Sequence, residues 1–502
     1  MRKILILDLG GHYDQLLARR IRECHVFCEV VAARRVTVEK IRDFDPAGII
    51  LTGSEACDDV LNIPLFDLGI PVLAIDQGCQ LMIRTLGGQL SDAPVRREHR
   101  RALTSLGECV LFQDLLRDII TWMDDNQIIS RLPDGFVATA STGEHPIAAC
   151  CCPERRLFGL QFHPEMSHLN GLHILNQFLK KVCDAGEEWN MENVINGAIQ
   201  HLRRRIGKGR VLLALSGGVD SSVAAALLSR AVGSQLTCIF VDHGMLRKDE
   251  GDLVESYFSR MDLHFVRVNA ADQFLTPLEG VSDPDEKRRI IGAQFVRVLQ
   301  NEARKLGIVD FLAQGTIYPD VLESGLGYAD VIRGDEMGSL PEHLEFRELI
   351  EPLRYLFKEE VRDLGRAMGL PEYLVGRQPF PGPGLAIRIM GEITREKIRI
   401  LQEADAIFTG ALEKGHLHSQ VGQYFAVLTD GRTLRNTPKG RHWGYTLALR
   451  AVTTEDYLTA KWARLPYELL DDISTQIMTN VPDISRITYD ITNKPPATIE
   501  WE

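Results

Sequence analysis

Short, continuous apolar runs alternate with helical patterns over about the first 185 residues of the chain. Examples of these runs are KILILDL, AGIILTG, PVLAID and LFGLQF. Apolar strands separated by helices are typical of a parallel sheet that is covered on both faces. A polar stretch and the basic, helix-like HLRRRIGKGR then lead into a second such series, RVLLALSGG, LTCIFVDHG, HFVRVNA and DFLAQGTIYPD. The pattern predicts two successive α/β sheets.

The alternation of apolar runs and helical segments ends near Arg377, where the Pro- and Gly-rich segment RQPFPGPGL follows. The remainder of the chain has the pattern of an α+β region. A length of 502 residues is also too great for one typical core. We therefore predict three domains, which span residues 1–185, 190–376 and 377–502.

Composition narrows the class of protein. The 45% hydrophobic and 25% charged content is ordinary for a soluble globular protein. A formal net charge of −12 argues against broad nucleic-acid binding, and no apolar run approaches the roughly 20 residues of a membrane span. The ten cysteines are scattered except for one cluster, Cys150–Cys152. Its consecutive side chains would alternate between the two faces of a strand, which suits buried thiols better than a metal site. We expect a cytoplasmic enzyme with reduced cysteines.

The segment LLALSGGVDSSVAAALL predicts a buried strand, a glycine turn and a helix, in that order. Gly217 and Gly218 allow the backbone to approach an anion, and the helix N-terminus offers free N–H groups. Asp220 supplies a carboxylate for Mg²⁺, a cation that proteins usually share with phosphates. No lysine follows the glycines, so the Walker pattern is excluded. The segment predicts a phosphate-binding loop in preference to a glycine turn with a serine N-cap.

A second strand–turn–helix pattern is PVLAIDQGCQLM, which has Asp76 at the tip of the turn and Cys79 beyond Gly78. Such a sharp turn is where some enzymes display a nucleophile. Two interpretations are open: either the cysteine is displaced along the helix, or the turn has lost its chemistry. Because Cys79 follows the tip by about one helical turn, we expect it to point elsewhere and to serve as a small core residue.

The motif SGGVDSS resembles the signature of the ATP pyrophosphatase (PP-loop) enzymes. Longer segments resemble the GMP synthetase family in order along the whole chain, among them VDHGMLRKDE, GVSDPDEKRRIIG, QGTIYPDVLESG, EPLRYLFKEEVRDLG, RQPFPGPGLAIRI, LALRAV and KPPATIEWE. The resemblance implies a class I glutamine amidotransferase-like domain, a Rossmann-type PP-loop domain and a small α+β domain that forms a homodimer. It also implies a reaction in which ATP adenylylates xanthosine monophosphate (XMP), pyrophosphate leaves, and ammonia then displaces AMP at C2.

The resemblance also assigns site residues. The loop that would bind ATP through its pyrophosphate comprises Ser216, Gly217, Gly218, Val219, Asp220, Ser221 and Ser222. Asp242 would lie near the adenine, and Asp320 would lie close to ATP and share Mg²⁺ with Asp220. The residues that would hold the nucleotide substrate are Arg288, Pro381, Gly382, Pro383, Gly384, Lys494 and Glu500. Without the resemblance, Arg288 reads as part of a solvated charge run and Lys494 as a surface lysine.

The first domain departs from the family at its catalytic centre. The segment LFGLQFHPEMSH matches the one that carries the family's catalytic His and Glu, here His163 and Glu165. The family's elbow, G-x-C-x-G, is replaced by Ala74–Gly78, so that Asp76 occupies the position of the nucleophile. The oxyanion loop, SGGP in the family, reads LTGSEACDD, and MSHGD is replaced by TWMDDNQ. These changes predict a glutaminase fold without glutaminase activity. A lid segment, KSHHNVGGLP in the family, is shortened to RGDEMGSLP at Arg333–Pro341.

Three hypotheses follow for the function. The first is a ligase that adenylylates and then aminates a purine nucleotide, XMP by resemblance, with free ammonia or with ammonia from a separate glutaminase. The second is a paralogue that uses the same adenylylation on another purine nucleotide or with another nucleophile. The third is a nucleotide-binding regulatory protein without turnover, against which the pyrophosphate loop argues.

Overall fold

The computed structural model describes residues 2–11, 13–53, 63–92, 98–105, 108–115, 119–124, 127–323, 346–417, 420–437, 440–454 and 459–502. Within this part of the chain two compact units are distinguished. The first holds residues 2–196 and 318–323, and the second holds residues 197–317 and 346–502. In the same residues, no helix combines the length and the apolar character needed to cross a membrane.

The described helices are α1 (Asp14–Glu23), α2 (Val38–Phe44), α3 (Gln77–Thr85), α4 (His168–Gln177), α5 (Met191–Ile206), α6 (Val219–Val232), α7 (Glu250–Phe258), α8 (Ala271–Leu275), α9 (Pro284–Leu306), α10 (Tyr318–Glu323), α11 (Lys358–Ala367), α12 (Glu372–Val375), α13 (Arg395–Lys414) and α14 (Tyr467–Asn480). The described strands are β1 (Lys3–Asp8), β2 (Phe27–Ala32), β3 (Gly48–Thr52), β4 (Val72–Ile75), β5 (Gln89–Asp92), β6 (Glu98–Ser105), β7 (Ile119–Asp124), β8 (Gln127–Arg131), β9 (Val137–Ser141), β10 (Ala149–Cys152), β11 (Leu157–Leu160), β12 (Val211–Leu215), β13 (Leu236–Asp242), β14 (His264–Asn269), β15 (Phe311–Ala313), β16 (Glu348–Ile350), β17 (Gln423–Thr437), β18 (Gly440–Thr453), β19 (Lys461–Trp462) and β20 (Ile484–Asp490).

The first unit is organised around a nine-stranded sheet with the order β2-β1-β3-β4-β11-β10-β9-β6-β7. The strands from β2 to β11 in this order pair in parallel, and the remaining ones extend the sheet in antiparallel fashion. The apolar runs form its interior, since every residue of β3, β4 and β11 is buried. Strand β4 therefore lies between two parallel neighbours, and the turn that follows it opens at the carboxyl edge of those strands.

The second unit contains a five-stranded parallel sheet with the order β14-β13-β12-β15-β16. Its central strand, β12, runs directly into the glycine loop and then into α6. Side chains at the carboxyl ends of β12 and β13 therefore meet at one edge of the sheet, where open α/β sheets bind their ligands.

A four-stranded sheet completes the second unit. Strands β17 and β18 form a long antiparallel pair, β19 joins β18 antiparallel, and β20 joins β18 in parallel. A buried cluster of Phe425, Val427, Ala448 and Val452 packs with Ile499 near the end of the chain. The α/β architecture followed by an α+β region is the fold class that the sequence predicts, and it is confirmed. The predicted domain boundaries stay predictions.

Candidate functional site

The turn after β4 is a sharp elbow with Asp76 at its tip. Asp76 adopts φ 47° and ψ −113°, a backbone conformation that residues with side chains rarely occupy. Its N–H donates to the carbonyl of Leu160 at 2.8 Å, which ties the tip to β11. Helix α3 then starts close against β3, because a Cβ atom on Gly78 would lie 2.2 Å from the carbonyl oxygen of Leu51. The elbow is therefore formed by backbone contacts that do not depend on the residue at its tip.

Three buried ionisable side chains meet at this elbow. Nδ1 of His163 lies 2.7 Å from Oε1 of Glu165, a hydrogen-bonding distance, and Nε2 lies 3.7 Å from Oδ2 of Asp76. Asp76 and His163 are each 1% exposed, and Glu165 is fully buried. The backbone N–H of His163 donates to the carbonyl of Trp122 at 2.9 Å, which fixes the imidazole beside the elbow. The structure thus brings together the three residues that the sequence assigns to the degenerate glutaminase centre.

The electrostatics of this trio hold the imidazole in its charged form. Burial lowers the pKa of His163, but the attraction of Asp76 and Glu165 outweighs burial and raises the pKa to about 10. At 3.7 Å the contact with Asp76 is an ion pair rather than a direct hydrogen bond. An imidazole protonated at neutral pH cannot act as a general base.

Cys79 lies in the first turn of α3 and has no access to solvent. A Cβ atom on Gly159 would be 2.7 Å from its Sγ and 3.0 Å from that of Cys150, so both thiols lie against β11. The hydrogen bond with Cys150, followed by burial and by the charge of Asp76, raises the pKa of the Cys79 thiol well above its usual value. The thiol is thus a core group with little tendency to form the thiolate that a nucleophile requires.

Three features predicted from the sequence lie partly or wholly outside the described residues. They are positions 54–59 of the altered oxyanion loop, positions 125–126 of TWMDDNQ, and the whole lid segment Arg333–Pro341.

The glycine loop connects β12 to α6 and is held by its own serines. Gly217 adopts φ +76°, which favours glycine, and Gly218 precedes the first residue of the helix. Oγ of Ser216 accepts a hydrogen bond from the N–H of Gly218 at 3.2 Å and lies 2.9 Å from Oγ of Ser221. Ser222 is buried one position further on. The free N–H groups of the first turn of α6 give this loop the features of an anion site.

A lysine that the sequence analysis missed lies beside the loop. Nζ of Lys358, the first residue of α11, donates to Oδ1 and Oδ2 of Asp220 at 2.8 and 2.7 Å. A magnesium ion at Asp220 would have to displace this lysine from one or both oxygens. Among the described residues, no group of three or more His, Cys, Asp or Glu side chains could hold a metal ion. The donor set therefore fits Mg²⁺ only as an ion shared with phosphate oxygens, which is the common mode for this cation.

A cavity of about 530 Å³ in the second unit brings the loop together with the predicted nucleotide-binding residues. Its lining includes Ser216, Gly218, Val219 and Asp220 of the loop together with Arg288, Pro381, Gly382 and Pro383. The lining also holds residues that the sequence pattern does not indicate, among them Lys358, Arg362, Arg377, Phe295 and Glu250. Spacing could not have revealed them, because they come from α7, α9, α11 and the segment after α12.

Arg377 fixes the loop from outside. Its guanidinium donates to the carbonyl of Gly217 and to the carboxylate of Glu250. Glu250 is buried, and its second oxygen accepts the N–H of Arg247 at 2.9 Å. A charged fork of this kind restrains the loop backbone at Gly217 in addition to the hydrogen bonds of the serines.

The proline-rich turn is anchored to the strand edge. A Cβ atom on Gly384, which has φ +66°, would lie 2.3 Å from the carbonyl oxygen of Met245. The N–H of Leu385 donates to that same oxygen at 2.8 Å. The turn is therefore fixed next to the residues that follow β13.

The remaining predicted residues do not line this cavity. The carboxylate of Asp242 pairs with Arg267 at 2.7 Å, although its neighbours Val241 and His243 are lining residues. Glu500 accepts two hydrogen bonds from the buried Arg388, at 2.8 and 3.1 Å. The backbone of Lys494 pairs with that of Ala460. Asp320 lies in α10, which belongs to the first unit. Their assigned roles stay predictions.

Three models of known protein families match successive segments of the chain. The model described as "Glutamine amidotransferase class-I" matches residues 5–182, "tRNA methyl transferase HUP domain" matches 209–287, and "GMP synthase C terminal domain" matches 410–501.

The chain is also similar over its full length to curated proteins named "GMP synthase [glutamine-hydrolyzing]". It is 50% identical to the one from Acetivibrio thermocellus and 49% identical to the one from Finegoldia magna, in each case over 99% of both chains. It is 50% identical to the one from Treponema denticola, over 100% of this chain and 97% of the relative.

Proposed function

The chain belongs to the GMP synthase family, and on that premise we propose that its second unit adenylylates XMP with ATP, releases pyrophosphate and then aminates the nucleotide. The observation that carries this proposal is the cavity of about 530 Å³ whose lining combines the glycine loop, Arg288 and the proline-rich turn. The full-length relatives are named as GMP synthases, which supports the same reaction.

The loop and Lys358 would stabilise the leaving group. Negative charge develops on pyrophosphate as its bond to the α-phosphate breaks, and preorganised N–H groups lower the energy of that charge. The first turn of α6 offers such N–H groups, and Lys358 adds a full positive charge beside them. Magnesium, when bound by Asp220 together with the phosphates, would neutralise part of the remaining charge.

Arg288 and the proline-rich turn would hold the acceptor nucleotide. Arg288 lies in the first turns of α9 and lines the cavity. One of its guanidinium nitrogens donates to the main-chain oxygen of Glu502 at 2.5 Å, and another lies 3.5 Å from the carboxylate of Asp285. Because Asp285 is exposed, this ion pair is weak, and an anionic group of the nucleotide would take its place.

We further propose that the first unit does not hydrolyse glutamine, and that the nitrogen comes from free ammonia or from a separate glutaminase. The supporting observation is that a carboxylate, Asp76, stands at the elbow beside His163, whereas Cys79 lies in the core. A carboxylate that attacked an amide would form an anhydride, whereas a thiolate forms a thioester that water hydrolyses. The imidazole between two carboxylates would also be unable to take up a proton.

The test measures pyrophosphate release by the full chain with ATP, Mg²⁺ and XMP, and with either ammonium or glutamine as nitrogen donor. We expect turnover with ammonium and none with glutamine above the level that contaminating ammonia supports. Ser216→Ala, which removes the hydroxyl between Gly218 and Ser221, serves as the loop control and should lose ammonium-dependent turnover.

Three results would contradict parts of the proposal. Glutamine-dependent turnover that Cys79→Ala abolishes would identify Cys79 as the nucleophile. AMP formation with another purine nucleotide but not with XMP would favour the paralogue hypothesis, and ATP binding without any pyrophosphate release would favour a regulatory protein. The homodimer and the cytoplasmic location stay predictions that this assay leaves aside.

A further inference from the structure

A second cavity, of about 510 Å³, lies in the second unit between α7, α13 and the segment around α12. Glu250, Arg377 and Gln378 line both this cavity and the first one, which contains the glycine loop, so the two cavities share a wall. Among the described residues, none of those that the sequence assigns to ATP or to the nucleotide substrate lines the second cavity. Its volume lies in the range of sites that bind small molecules, so it is a candidate for a separate ligand.

Arg247 lines the second cavity and has an unused pair of donors. Its Nε and Nη2 atoms are buried and have no hydrogen-bond partner in the described part of the chain. The two atoms lie on one edge of the guanidinium, where they can bind two acceptors of one ligand side by side. The guanidinium lies over the ring of Phe380, with 4.8 Å between Cζ and the ring centroid, which restrains its plane. Because buried polar groups are nearly always hydrogen-bonded, this edge points to a ligand with two adjacent acceptors.

An acceptor of the protein lies next to these donors. Oδ2 of Asp405, another lining residue, is 3.6 Å from Nε of Arg247, which is too long for a direct hydrogen bond. The other oxygen, Oδ1, accepts the N–H of Ala426 at 2.9 Å and fixes the carboxylate in place. The wall therefore offers two donors and then one acceptor to a ligand.

The charges of the lining favour a neutral ligand. Asp405 is 2% exposed, and its carboxylate compensates the guanidinium of Arg247 inside the protein. The other charged lining residues are paired or exposed, namely Arg377 with Glu250, Glu372 with Arg366, Lys248 with Glu403, and the exposed Glu413. A charged ligand would leave an uncompensated charge in a buried place, which is costly.

Small residues keep the α13 side of the cavity open. Ala406, Thr409 and Gly410 lie on one face of this helix and line the cavity. Glycine inside a helix costs about 1 kcal/mol relative to alanine. A Cβ atom on Gly410 would have nothing within 4 Å, so no close contact requires the glycine. The lining also includes the aromatic side chains of Tyr373 and Tyr424, which suit a planar ligand.

We propose that the second cavity binds the base of a guanine nucleoside. Guanine carries two adjacent acceptors, N7 and O6, which arginine binds as a pair, and its N1–H and 2-amino donors follow them. This order matches Nη2 and Nε of Arg247 and then Oδ2 of Asp405. Adenine has a donor in place of O6, and xanthine has an oxygen in place of the 2-amino group. The inference deepens the proposed function and rests on it for the origin of the ligand, because amination of XMP at C2 forms guanine.

The test titrates the full chain with guanosine by isothermal calorimetry in the absence of ATP, so that its outcome is independent of ligase turnover. Guanosine is chosen because it has no phosphate group and is neutral. We expect guanosine to bind at one site, and inosine to bind about tenfold more weakly because it lacks the 2-amino donor. Adenosine and xanthosine should give no measurable binding.

Two variants locate the site. Gly410→Leu fills the second cavity from a helix position that favours leucine over glycine, and Arg247→Lys keeps the charge but removes the donor pair. Both should lose guanosine binding, and Gly410→Leu should keep ammonium-dependent pyrophosphate release. Gly292→Leu is the matched control, because Gly292 lies in α9, has nothing within 4 Å of an added Cβ atom and lines the first cavity. It should lose turnover and keep guanosine binding.

The inference is overturned if guanosine does not bind the wild type, in which case water alone fills the cavity, or if adenosine binds equally well. Retained binding in Gly410→Leu with an unfolding midpoint near that of the wild type would also overturn it. So would loss of binding in Gly292→Leu, since guanosine would then occupy the first cavity. If Gly410→Leu is unstable, retained binding in Arg247→Lys decides against the site. Guanosine binding without ligase turnover would contradict the proposed function and not the second cavity.

Discussion

Nζ of Lys358 donates to both carboxylate oxygens of Asp220, at 2.8 and 2.7 Å, and so occupies the side chain that the sequence assigns to magnesium. Both side chains are about one-third exposed, at 32% and 28%, so the pair lies at the cavity surface and not in the core. An exposed pair of this kind contributes little to stability. Its importance lies in the charge that it places beside the glycine loop.

Replacement of Lys358 should therefore impair catalysis with little effect on folding. Lys358→Met removes the positive charge, and we expect kcat for ammonium-dependent pyrophosphate release to fall by about 10²-fold or more, a loss typical of a group that stabilises developing charge. Lys358→Arg retains the charge and should retain a larger share of activity. An unfolding midpoint near that of the wild type is the control for structure. Equal kcat in Lys358→Met and the wild type would exclude the lysine from the reaction.

Arg377 should affect ATP binding through the loop backbone. Arg377→Met removes the donors to Gly217 and Glu250 and leaves the buried Glu250 without this partner. We expect KM for ATP to rise by about tenfold, which corresponds to the loss of one or two charge-assisted hydrogen bonds. Arg377→Lys keeps the charge but not the fork, so its KM for ATP should lie between that of the wild type and that of Arg377→Met. Steady-state kinetics with ATP varied would show the order, and an unchanged KM in Arg377→Met would contradict it.

His163 should make the stability of the first unit depend on pH. Its pKa is raised to about 10 in the folded state by Asp76 and Glu165, against 6.5 for the ordinary side chain. The folded state therefore binds more protons between these values, so the stabilisation is complete below about 6.5 and is lost as pH rises through about 10. The free energy of unfolding should fall by up to about 1.4 kcal/mol per pH unit in that window. Urea unfolding at several pH values measures this slope, which Asp76→Asn should reduce. An unchanged slope in that variant would remove Asp76 as a cause.

Gly78 should be required for the stability of the first unit and should have no part in its chemistry. A Cβ atom at this position would lie 2.2 Å from the carbonyl oxygen of Leu51, so Gly78→Ala must push α3 away from β3. We expect the free energy of unfolding to drop by about 1–3 kcal/mol, as for other overpacked sites. Gly143→Ala adds the same methyl group in the same unit, at a glycine that has nothing within 4 Å and lies outside the left-handed region, and it separates crowding from a general glycine effect. Equal stability of Gly78→Ala and the wild type would refute the close approach.

The sequence predicts most of the parallel strands because each one is a short apolar run. All eight quoted runs form strands, from β1 and β3 to β15. The antiparallel extension β6, β7, β9 and β10 is not recognised as such, because strands like Glu98–Ser105 are rich in polar residues and depend on their neighbours for stability.

The residues of the candidate sites likewise divide into those that the sequence predicts and those that it does not. The elbow and the glycine loop are each formed by one continuous stretch of sequence. Local spacing is therefore sufficient to place Asp76 in the first and Ser216 in the second. Lys358 and Arg377 reach the loop through tertiary packing, since α11 and the segment after α12 lie more than 130 residues from it along the chain. Nothing in the local pattern around either residue indicates the partner that it meets.

The elbow of the first unit separates shape from reactivity. Its backbone is held by Gly78 against β3 and by the bond from Asp76 to Leu160, and neither contact involves the side chain at the tip. A nucleophile can therefore be lost or regained at position 76 by a single substitution, without any need to rebuild the scaffold. In a lineage of such chains, the shape of this turn can therefore outlast the reaction that was performed on it.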